Sequence, residues 1–556
     1  FRKHFWEHGY MHIMGYWSRT DSLPSFESNE FKLFISRFRE PLSVIYDDNL
    51  NSLGLAINGS ITSHKTSEND CYELIGTLPA LYPEWLGNRS FQETHNVRFA
   101  YVGGAMARGI ASADIVISLA KIGMLGFFGA AGLSLERLEK EITTIKDELD
   151  PLGLSWGANL IHTPNELAIE EKTVELYLKK GVRRIEASAF MTISPSIVRF
   201  ALTGLKKDSY GNIVRKNHVF AKISRVEVAK HFLTPPPENI LNDLLSKGLI
   251  THQEAELGRL IPVAGDITIE SDSGGHTDNR PLGPLFSSIS ESKYQIMKQY
   301  KFENPTRLGV AGGLGTPQAI ASAFSLGAAY VCVGSVHQAC IESGVSPAVK
   351  KMLSIAGMAD IAMTASADMF EMGVKVQVLK RGTMMPQRGN HLYNLYMKYK
   401  SIEEIPQSEI IALERDIFRT SIDNIWKDTR AFFEKIEPSQ VARADRDPKH
   451  KMALIFRWYI GKSSQWPIQG VDDRKIDYQV WCGPAMGSFN DWTRGTFLED
   501  VENRKIQQVA LNLMEGAAQI TKVQQLRTYG IPIPDDLFHY DPTILKLSSS
   551  ELHVNV

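Results

Sequence analysis

Cysteine is scarce in this sequence and follows no pattern. Its four cysteines, Cys71, Cys332, Cys340 and Cys482, form no C-x-x-C pair and no metal-type spacing. That speaks against a disulfide-built framework and a cysteine-held metal, and it points to a reducing cytoplasm. An excess of one charge is also missing. Lys and Arg total 61 against 63 Asp and Glu, so no global basic field draws the chain to nucleic acid. The longest apolar stretch, 122–135, contains five glycines or serines. It falls short of the ~20 residues a membrane span needs. No signal-peptide pattern is visible. The chain starts at Phe1 rather than Met and reads as trimmed or cut from a longer polypeptide. No low-complexity segment occurs, and no repeat beyond a strand–helix alternation. No G-x-G-x-x-G follows the first strand-like run, which counts against a doubly wound dinucleotide sheet.

What is present is a long alternation. The chain has 556 residues, 43% of them hydrophobic, enough for one large core and a second domain, since domains run to roughly 100–250 residues. Strand-like runs occur at Val97–Gly104, Gly123–Ala130, Trp156–His162, Val182–Phe190, Val219–Ser224, Ile267–Gly275, Leu308–Gly313 and Tyr330–Gly334. Helical patterns such as Ser134–Leu149, Asn165–Lys180 and Pro317–Leu326 lie between most of them. Eight strands with intervening helices predict an α/β fold, a TIM (β/α)8 barrel. The stretch Arg225–Gly265 predicts a helical excursion over one barrel face. Past Pro386 the strands cease, and helices are expected at Asn390–Tyr399, Ser408–Trp426 and Lys505–Arg527. The expected division is an N-terminal extension (1–92), the barrel (93–386), a mainly helical C-terminal domain (387–545) and a tail (546–556). Within the extension, 28–38 reads as an amphipathic helix, with short strands at 41–46 and 54–57.

The chemistry concentrates at the ends of the last three strands. Gly312-Gly313-Leu314-Gly315-Thr316-Pro317 places backbone-exposing glycines before a helix with a good N-cap and a good first residue. Gly334-Ser335 offers a second amide-rich turn at the next strand end. Paired turns after strands seven and eight are where this fold grips a phosphate. Gly274-Gly275-His276 follows strand six, so a titratable imidazole is expected at the barrel mouth, with Asp272 or Asp278 to orient it. Lys222 lies inside strand five and needs an anionic partner if it points inward. A reduced flavin ring or its ribityl phosphate is one such anion. Asn159, Glu186 and, less clearly, His162 sit near strand ends, where they either meet a ring edge or form an internal polar plug. Gly104, Ala105 and Met106 would let a flat ring lie against the first turn. Plain structural alternatives remain for each: tight turns, a strand-capping histidine, a surface lysine. In the helical region, Asp447–Lys451 with Ala453–Trp458 reads either as a solvated face or as a dock for an acidic partner. Trp481–Phe489 reads as a packed loop suited to lining a tunnel.

With these residues placed, the chain resembles the PfaD family, the trans-acting flavin-dependent enoyl reductases of polyketide and polyunsaturated fatty acid synthases, related to the nitronate monooxygenases. The resemblance runs from about Phe91 to about Asp535. It rests on Tyr101-Val-Gly-Gly-Ala-Met-Ala107, Gly126-Phe-Phe-Gly-Ala-Ala-Gly132, Asn159-Leu-Ile-His162, Glu186-Ala-Ser-Ala-Phe190, Ser271-Asp-Ser-Gly-Gly-His-Thr-Asp-Asn-Arg-Pro281, Ala367-Asp-Met-Phe-Glu-Met-Gly-Val-Lys375 and Lys451-Met-Ala-Leu-Ile-Phe-Arg-Trp-Tyr459. Met124–Ala130 is closer to the polyketide branch. The segment before about Phe91 lies outside the resemblance; it reads as a structural extension, with the tail of an upstream domain, such as an acyltransferase, in a fused polypeptide as the alternative. The resemblance implies FMN in the barrel, NADPH as reductant, and an α,β-unsaturated thioester on an acyl carrier protein as substrate. It implies that Gly312, Gly313, Gly334 and Ser335 hold the FMN phosphate and that Asn159 and Lys222 contact the ring or ribityl chain. His276 falls at the catalytic-site histidine of the related enzymes. His276 and Lys222 are thus the expected catalytic residues, and a second copy of the chain is a further expected partner. Two rival readings are an oxygen-using nitronate monooxygenase and a carrier-protein scaffold without flavin.

Overall fold

A computed structural model describes residues 13–65, 70–162, 167–531 and 533–546. The start of the expected helix at 165–180 and nearly all of the expected tail lie outside the described residues. Eight parallel strands close into a barrel: Tyr101–Gly103, Leu125–Phe128, Gly157–Ile161, Arg184–Ser188, His218–Ile223, Asp266–Glu270, Arg307–Ala311 and Val331–Val333. Each starts within, or one residue before, the run expected from the apolar pattern. The eighth strand pairs back onto the first, with Val331 opposite Tyr101, and that closure leaves no edge. The surrounding helices follow from apolar spacing. In Leu135–Leu149 the buried residues are Leu138, Ile142, Ile145 and Leu149, one face at steps of three and four. Ser112, Ser134, Ser194 and Thr316 each accept a hydrogen bond from the amide three residues on, which fixes where their helices begin.

The two ends of the barrel are closed differently. At the N-terminal end of the strands, the helix Arg89–His95 acts as a plug. Its Phe91 stacks on Tyr330 with ring centroids 4.5 Å apart. Beside it the fully buried Asp266 accepts hydrogen bonds from Arg307 Nε at 2.7 Å and a terminal nitrogen at 2.9 Å. His95 Nε2 lies 3.0 Å from the same carboxylate, and Arg184 Nε donates to His95 Nδ1 at 3.2 Å. The imidazole is therefore neutral, with its proton on Nε2. At the C-terminal end, a three-stranded antiparallel sheet stands over the barrel, built from Gly275–His276, Lys375–Leu379 and Ile361–Ala365.

Two expectations need correction. The run Ile267–Gly275 is not one strand. The barrel strand stops at Glu270, and Gly275–His276 pairs instead with Val376 and Gln377. The chain turns at Gly275, whose φ of +80° a non-glycine residue rarely adopts. The segment Ser408–Trp426 is not one helix either. A wide π turn over Leu413–Phe418 ends at Arg419 with φ +56°, and a new helix runs Ile422–Ile436 under a Ser421 cap. The N-terminal region keeps its expected helix as Phe31–Ile35 and its expected strands as Leu42–Asp47 and Ser52–Ile57, and adds three further strands. It forms a five-stranded antiparallel sheet from Gly15–Ser18, Leu42–Asp47, Ser52–Ile57, Ser60–Thr62 and Cys71–Leu78. The excursion after strand five is indeed helical, with helices Val226–Leu233, Glu238–Ser246 and His252–Gly258 against the barrel's outer helices. The last long helix, Ile506–Thr528, packs on the barrel helix Pro317–Ser325, and its Val523 and Leu526 enter the core of the N-terminal sheet. No described helix is long and apolar enough to cross a membrane.

Asp266→Ala is expected to destabilise the protein by about 3–5 kcal/mol, because it strands buried cations that this carboxylate neutralises. An unchanged thermal midpoint refutes that. Burial pushes His95 down to about 4, against Asp266, which raises it. In the unfolded chain a histidine titrates near ~6.5. Between those values the unfolded chain binds a proton that the folded one does not. Stability should therefore fall as pH drops through that window.

Candidate active site

A cavity of about 750 Å³ opens at the C-terminal ends of the barrel strands, the end at which this fold places its chemistry. It is lined by Gly104, Ala105 and Met106 after strand one, Asn159 on strand three, Lys222 on strand five and Gly274, Gly275 and His276 after strand six. Gly312 and Gly313 after strand seven and Gly334 and Ser335 after strand eight complete the wall. Residues spread over more than two hundred positions thus meet in one space. Glu186 stands apart from them. It is buried beneath the wall, where its Oε2 accepts the amide of Ala105 at 2.9 Å and its Oε1 lies 3.7 Å from Cys332 Sγ. His162 is held by Glu170 at 2.8 Å and does not line the cavity.

The glycine turns leave room for a small anion. Gly312 and Gly313 have φ of +89° and +71°. An added Cβ at Gly313 or Gly334 would meet no protein atom within 4 Å, so it would stand in the open cavity. Behind Gly313, Thr316 caps the helix Pro317–Ser325, directing that helix's positive end at the turn. Ser335 Oγ accepts the amide of Gly483 at 3.1 Å, which leaves its proton free to donate. Asn159 gives its amide hydrogens to Glu186 O at 2.9 Å and Ser188 Oγ at 3.0 Å. Its Oδ1 is the atom left over.

Lys222 has an anionic partner within the protein. Its Nζ lies 3.0 Å from Glu270 Oε1. Burial alone would lower Lys222, but Glu270 and Glu186 outweigh it and keep the ammonium charged. Burial raises Glu186, against the pull of Lys222. The floor of the cavity therefore carries a fixed cation on strand five, hemmed by carboxylates on strands four and six.

The expected partners of His276 were wrong. Asp278 accepts from Ser224 Oγ at 2.6 Å and from Arg225 at 2.8 and 2.9 Å. Asp272 accepts from Asn279 and Gln377, each at 2.8 Å. His276 Nε2 instead faces Asp368 Oδ1 at 3.2 Å, with Ser366 Oγ at 3.4 Å and also bonded to Asp368. Burial would lower His276, but the bond to Asp368 and its charge raise it above an ordinary histidine. Asp368 comes from the hairpin between Ile361–Ala365 and Lys375–Leu379, which pairs His276 with Val376. The string Ala367–Lys375 supports the family resemblance, but the sequence assigned none of its residues a chemical role. Asp368, Ser366 and Glu270 were all missed because nothing along the chain ties them to His276 or Lys222.

Trp481, Gly483 and Ala485 line the cavity, as expected for that loop. The basic run near 450 is mostly engaged inside the protein. Asp447 caps the helix Pro448–Ser463, His450 Nδ1 meets Glu371 at 2.6 Å, Arg457 meets the same carboxylate at 3.5 Å, and Lys449 bonds the carbonyls of Tyr396 and Tyr399. Little of it remains as a free docking face.

Asp368→Asn should lower the pKa of His276, since it removes the negative charge that raises it. Titration of the imidazole by NMR checks this, and a midpoint unmoved from the parent protein sinks the pairing.

Comparison with known proteins agrees with this architecture. Residues 89–395 match the nitronate monooxygenase family, and residues 399–478 match the inserted helical domain of [acyl-carrier-protein] S-malonyltransferase. The enoyl reductase domain of MlnA, from the macrolactin cluster of Bacillus amyloliquefaciens, is 38% identical with a TM-score of 0.77. That likeness covers 80% of this chain and 99% of the MlnA domain. A polyunsaturated fatty acid synthase polypeptide of Thraustochytrium sp. is 43% identical over 82% of this chain and 31% of its own length. Polyketide biosynthesis protein PksE of Bacillus subtilis is 43% identical over 78% of this chain and 56% of its own. The chain thus spans about a third of one curated relative and just over half of the other. It belongs to the nitronate monooxygenase family, in the branch it shares with the MlnA enoyl reductase domain and with parts of polyketide and polyunsaturated fatty acid synthase proteins.

Proposed function

We propose that this chain is a trans-acting, cytoplasmic enoyl reductase that uses FMN and NADPH to reduce α,β-unsaturated acyl thioesters borne on an acyl carrier protein. The observation that carries the reading is one cavity holding an open glycine cradle, a fixed lysine and a carboxylate-backed histidine. Membership of the family and the likeness to the MlnA domain support it. The match of 399–478 to a helical insert of an acyl-carrier-protein transferase supports the carrier-borne substrate.

The residues fit an FMN. Gly312, Gly313, Gly334 and Ser335 would take its phosphate, and Gly104, Ala105, Met106 and Asn159 would lie along the ring and ribityl chain. Gly275 would lie along the opposite wall, and Gly274 holds that wall against the loop at Cys482. The flavin, when bound, supplies the hydride relay between nicotinamide and the β-carbon of the enoyl thioester. Lys222 keeps a positive charge at the cavity floor, where it favours electron-rich states of whatever lies above it. His276 holds the proton. With Nε2 committed to Asp368, Nδ1 is the nitrogen left to serve the substrate. It either donates to the α-carbon or polarises the thioester oxygen, where enolate charge builds. Asp368 keeps the imidazole charged until that moment. Trp481 and its loop would shelter the acyl chain.

The family match also covers the oxygen-using reading, and anaerobic spectroscopy separates the two. A flavin band bleached by NADPH and restored by crotonyl thioester supports the reductase. A band restored only by oxygen or by a nitroalkane favours a nitronate monooxygenase, and a protein that takes up no flavin leaves a scaffold. His276→Ala should retain flavin and lose about 10²–10⁴-fold in enoyl turnover. Normal turnover in that variant removes the histidine from the mechanism. Gly313→Val places a branched side chain at positive φ in the cradle, so the folded protein should purify colourless. Full flavin retention would put the phosphate elsewhere.

A further inference from the structure

Arg108 lines the cavity and has no part in the reading above. It follows the first barrel strand and holds a left-handed backbone, φ +60°, which a long side chain adopts only when its surroundings impose it. The surroundings do so here. The amide of Arg108 donates to Ala131 O at 2.7 Å, that of Gly109 to Gly129 O at 2.8 Å, and that of Gly129 to Ala111 O at 2.9 Å. These bonds lace the loops after strands one and two together beneath the side chain. Its stem lies on Gly132, where an added Cβ would come within 3.3 Å of Arg108 Cγ.

The backbone and stem are therefore fixed, while the head group is left open. Among the described residues the guanidinium makes no ion pair, hydrogen bond or ring contact. Asp368 is the carboxylate whose charge reaches it, and Asp368 is already bonded to His276 and Ser366. The other cavity cations at the strand-five end are paired, Lys222 with Glu270 and Arg225 with Asp278. A half-buried, unpaired guanidinium is a poor structural element and a good receptor for an anion. Its planar fork matches two oxygens of a phosphate.

We propose that Arg108 anchors the phosphate groups of the dinucleotide that brings hydride to this site, an inference that rests on the reductase reading. Two phosphate-bearing ligands enter such a cavity, the dinucleotide and the pantetheine arm of a carrier protein. Arg108, His276 and Asp368 line the same cavity, and the charge of Asp368 reaches the guanidinium. A dinucleotide carries its diphosphate one ribose away from the nicotinamide. A pantetheine arm holds its phosphodiester a full arm's length from the thioester, too far out for this position. The anchor is also distinct from the glycine cradle, which sits on strands seven and eight.

Calorimetry of the flavin-loaded protein tests this without turnover, using NADP⁺ and 2′-phospho-ADP-ribose, a fragment with no nicotinamide. Arg108→Gln should weaken both by tenfold or more at unchanged flavin content and thermal midpoint. Arg108→Lys, which keeps the charge, should recover part of the loss, whereas damage to the loop would leave both variants equally impaired and overturn the assignment. Wild-type affinity for both ligands in Arg108→Gln, or no binding by the parent protein, also overturns it. A third result is wild-type dinucleotide binding with a raised KM for carrier-borne enoyl thioester and an unchanged KM for an N-acetylcysteamine thioester. That would assign the phosphate to the pantetheine arm and reject the dinucleotide. Failure of the reductase reading shows separately, as a parent protein that binds the fragment but whose flavin band NADPH does not bleach.

Discussion

The cavity depends on one close contact between two backbones. Gly274, beyond the sixth barrel strand, lies against Cys482 and Gly483, and a Cβ on Gly274 would fall 2.9 Å from the backbone of Cys482. A Cβ on Gly483 would fall 2.8 Å from the amide of Gly274. Only glycine on both sides permits that approach. From this point the wall is tied together. Cys482 donates to Gln377 O at 3.3 Å, Gly483 donates to Ser335 at 3.1 Å, and Gln377 pairs with Gly275. The loop that follows the helical segment is thereby fixed to strands six and eight, and His276 is held where the hairpin can deliver Asp368.

The two barrel ends use buried charge for opposite purposes. At the plugged end, the fully buried Asp266 accepts from Arg307 and meets His95, which in turn accepts from Arg184. That arrangement is costly to disturb and has nothing to offer a ligand. At the open end, Lys222 is neutralised by Glu270 and Glu186, and His276 by Asp368, but each keeps a face toward the cavity. The same residue types give stability where they are saturated and reactivity where one valence is left open. Arg108 is the extreme case, with its backbone fixed and its guanidinium bonded to no group among the described residues.

The barrel was legible because strand and helix periods differ and because helices announce their starts. Thr316 was readable as a cap, and Gly312 to Pro317 as a phosphate turn, since each meaning lies within a few residues. The break at Glu270 was not legible, because Ile267–Gly275 reads as one extended run until the mouth sheet captures its second half. The helix expected over Ser408–Trp426 failed for a related reason, as the periodicity continues through the π turn that interrupts it. The N-terminal sheet was seen in part, because edge strands as short as Ser60–Thr62 carry too little pattern.

By itself, then, the sequence determined the alternation of strands and helices, the polar and glycine-rich strand ends, and the membership of a flavin-linked family. These follow from local steric and hydrogen-bonding rules and from strings long enough to be specific. Tertiary structure alone decided the partners: Asp368 rather than Asp272 or Asp278 for His276, Glu270 for Lys222, none among the described residues for Arg108, and a place for Glu186 beneath the wall. Electrostatic pairing depends on distance in space. Closing a barrel brings residues that lie far apart in sequence within hydrogen-bonding range, which no spacing along the chain records.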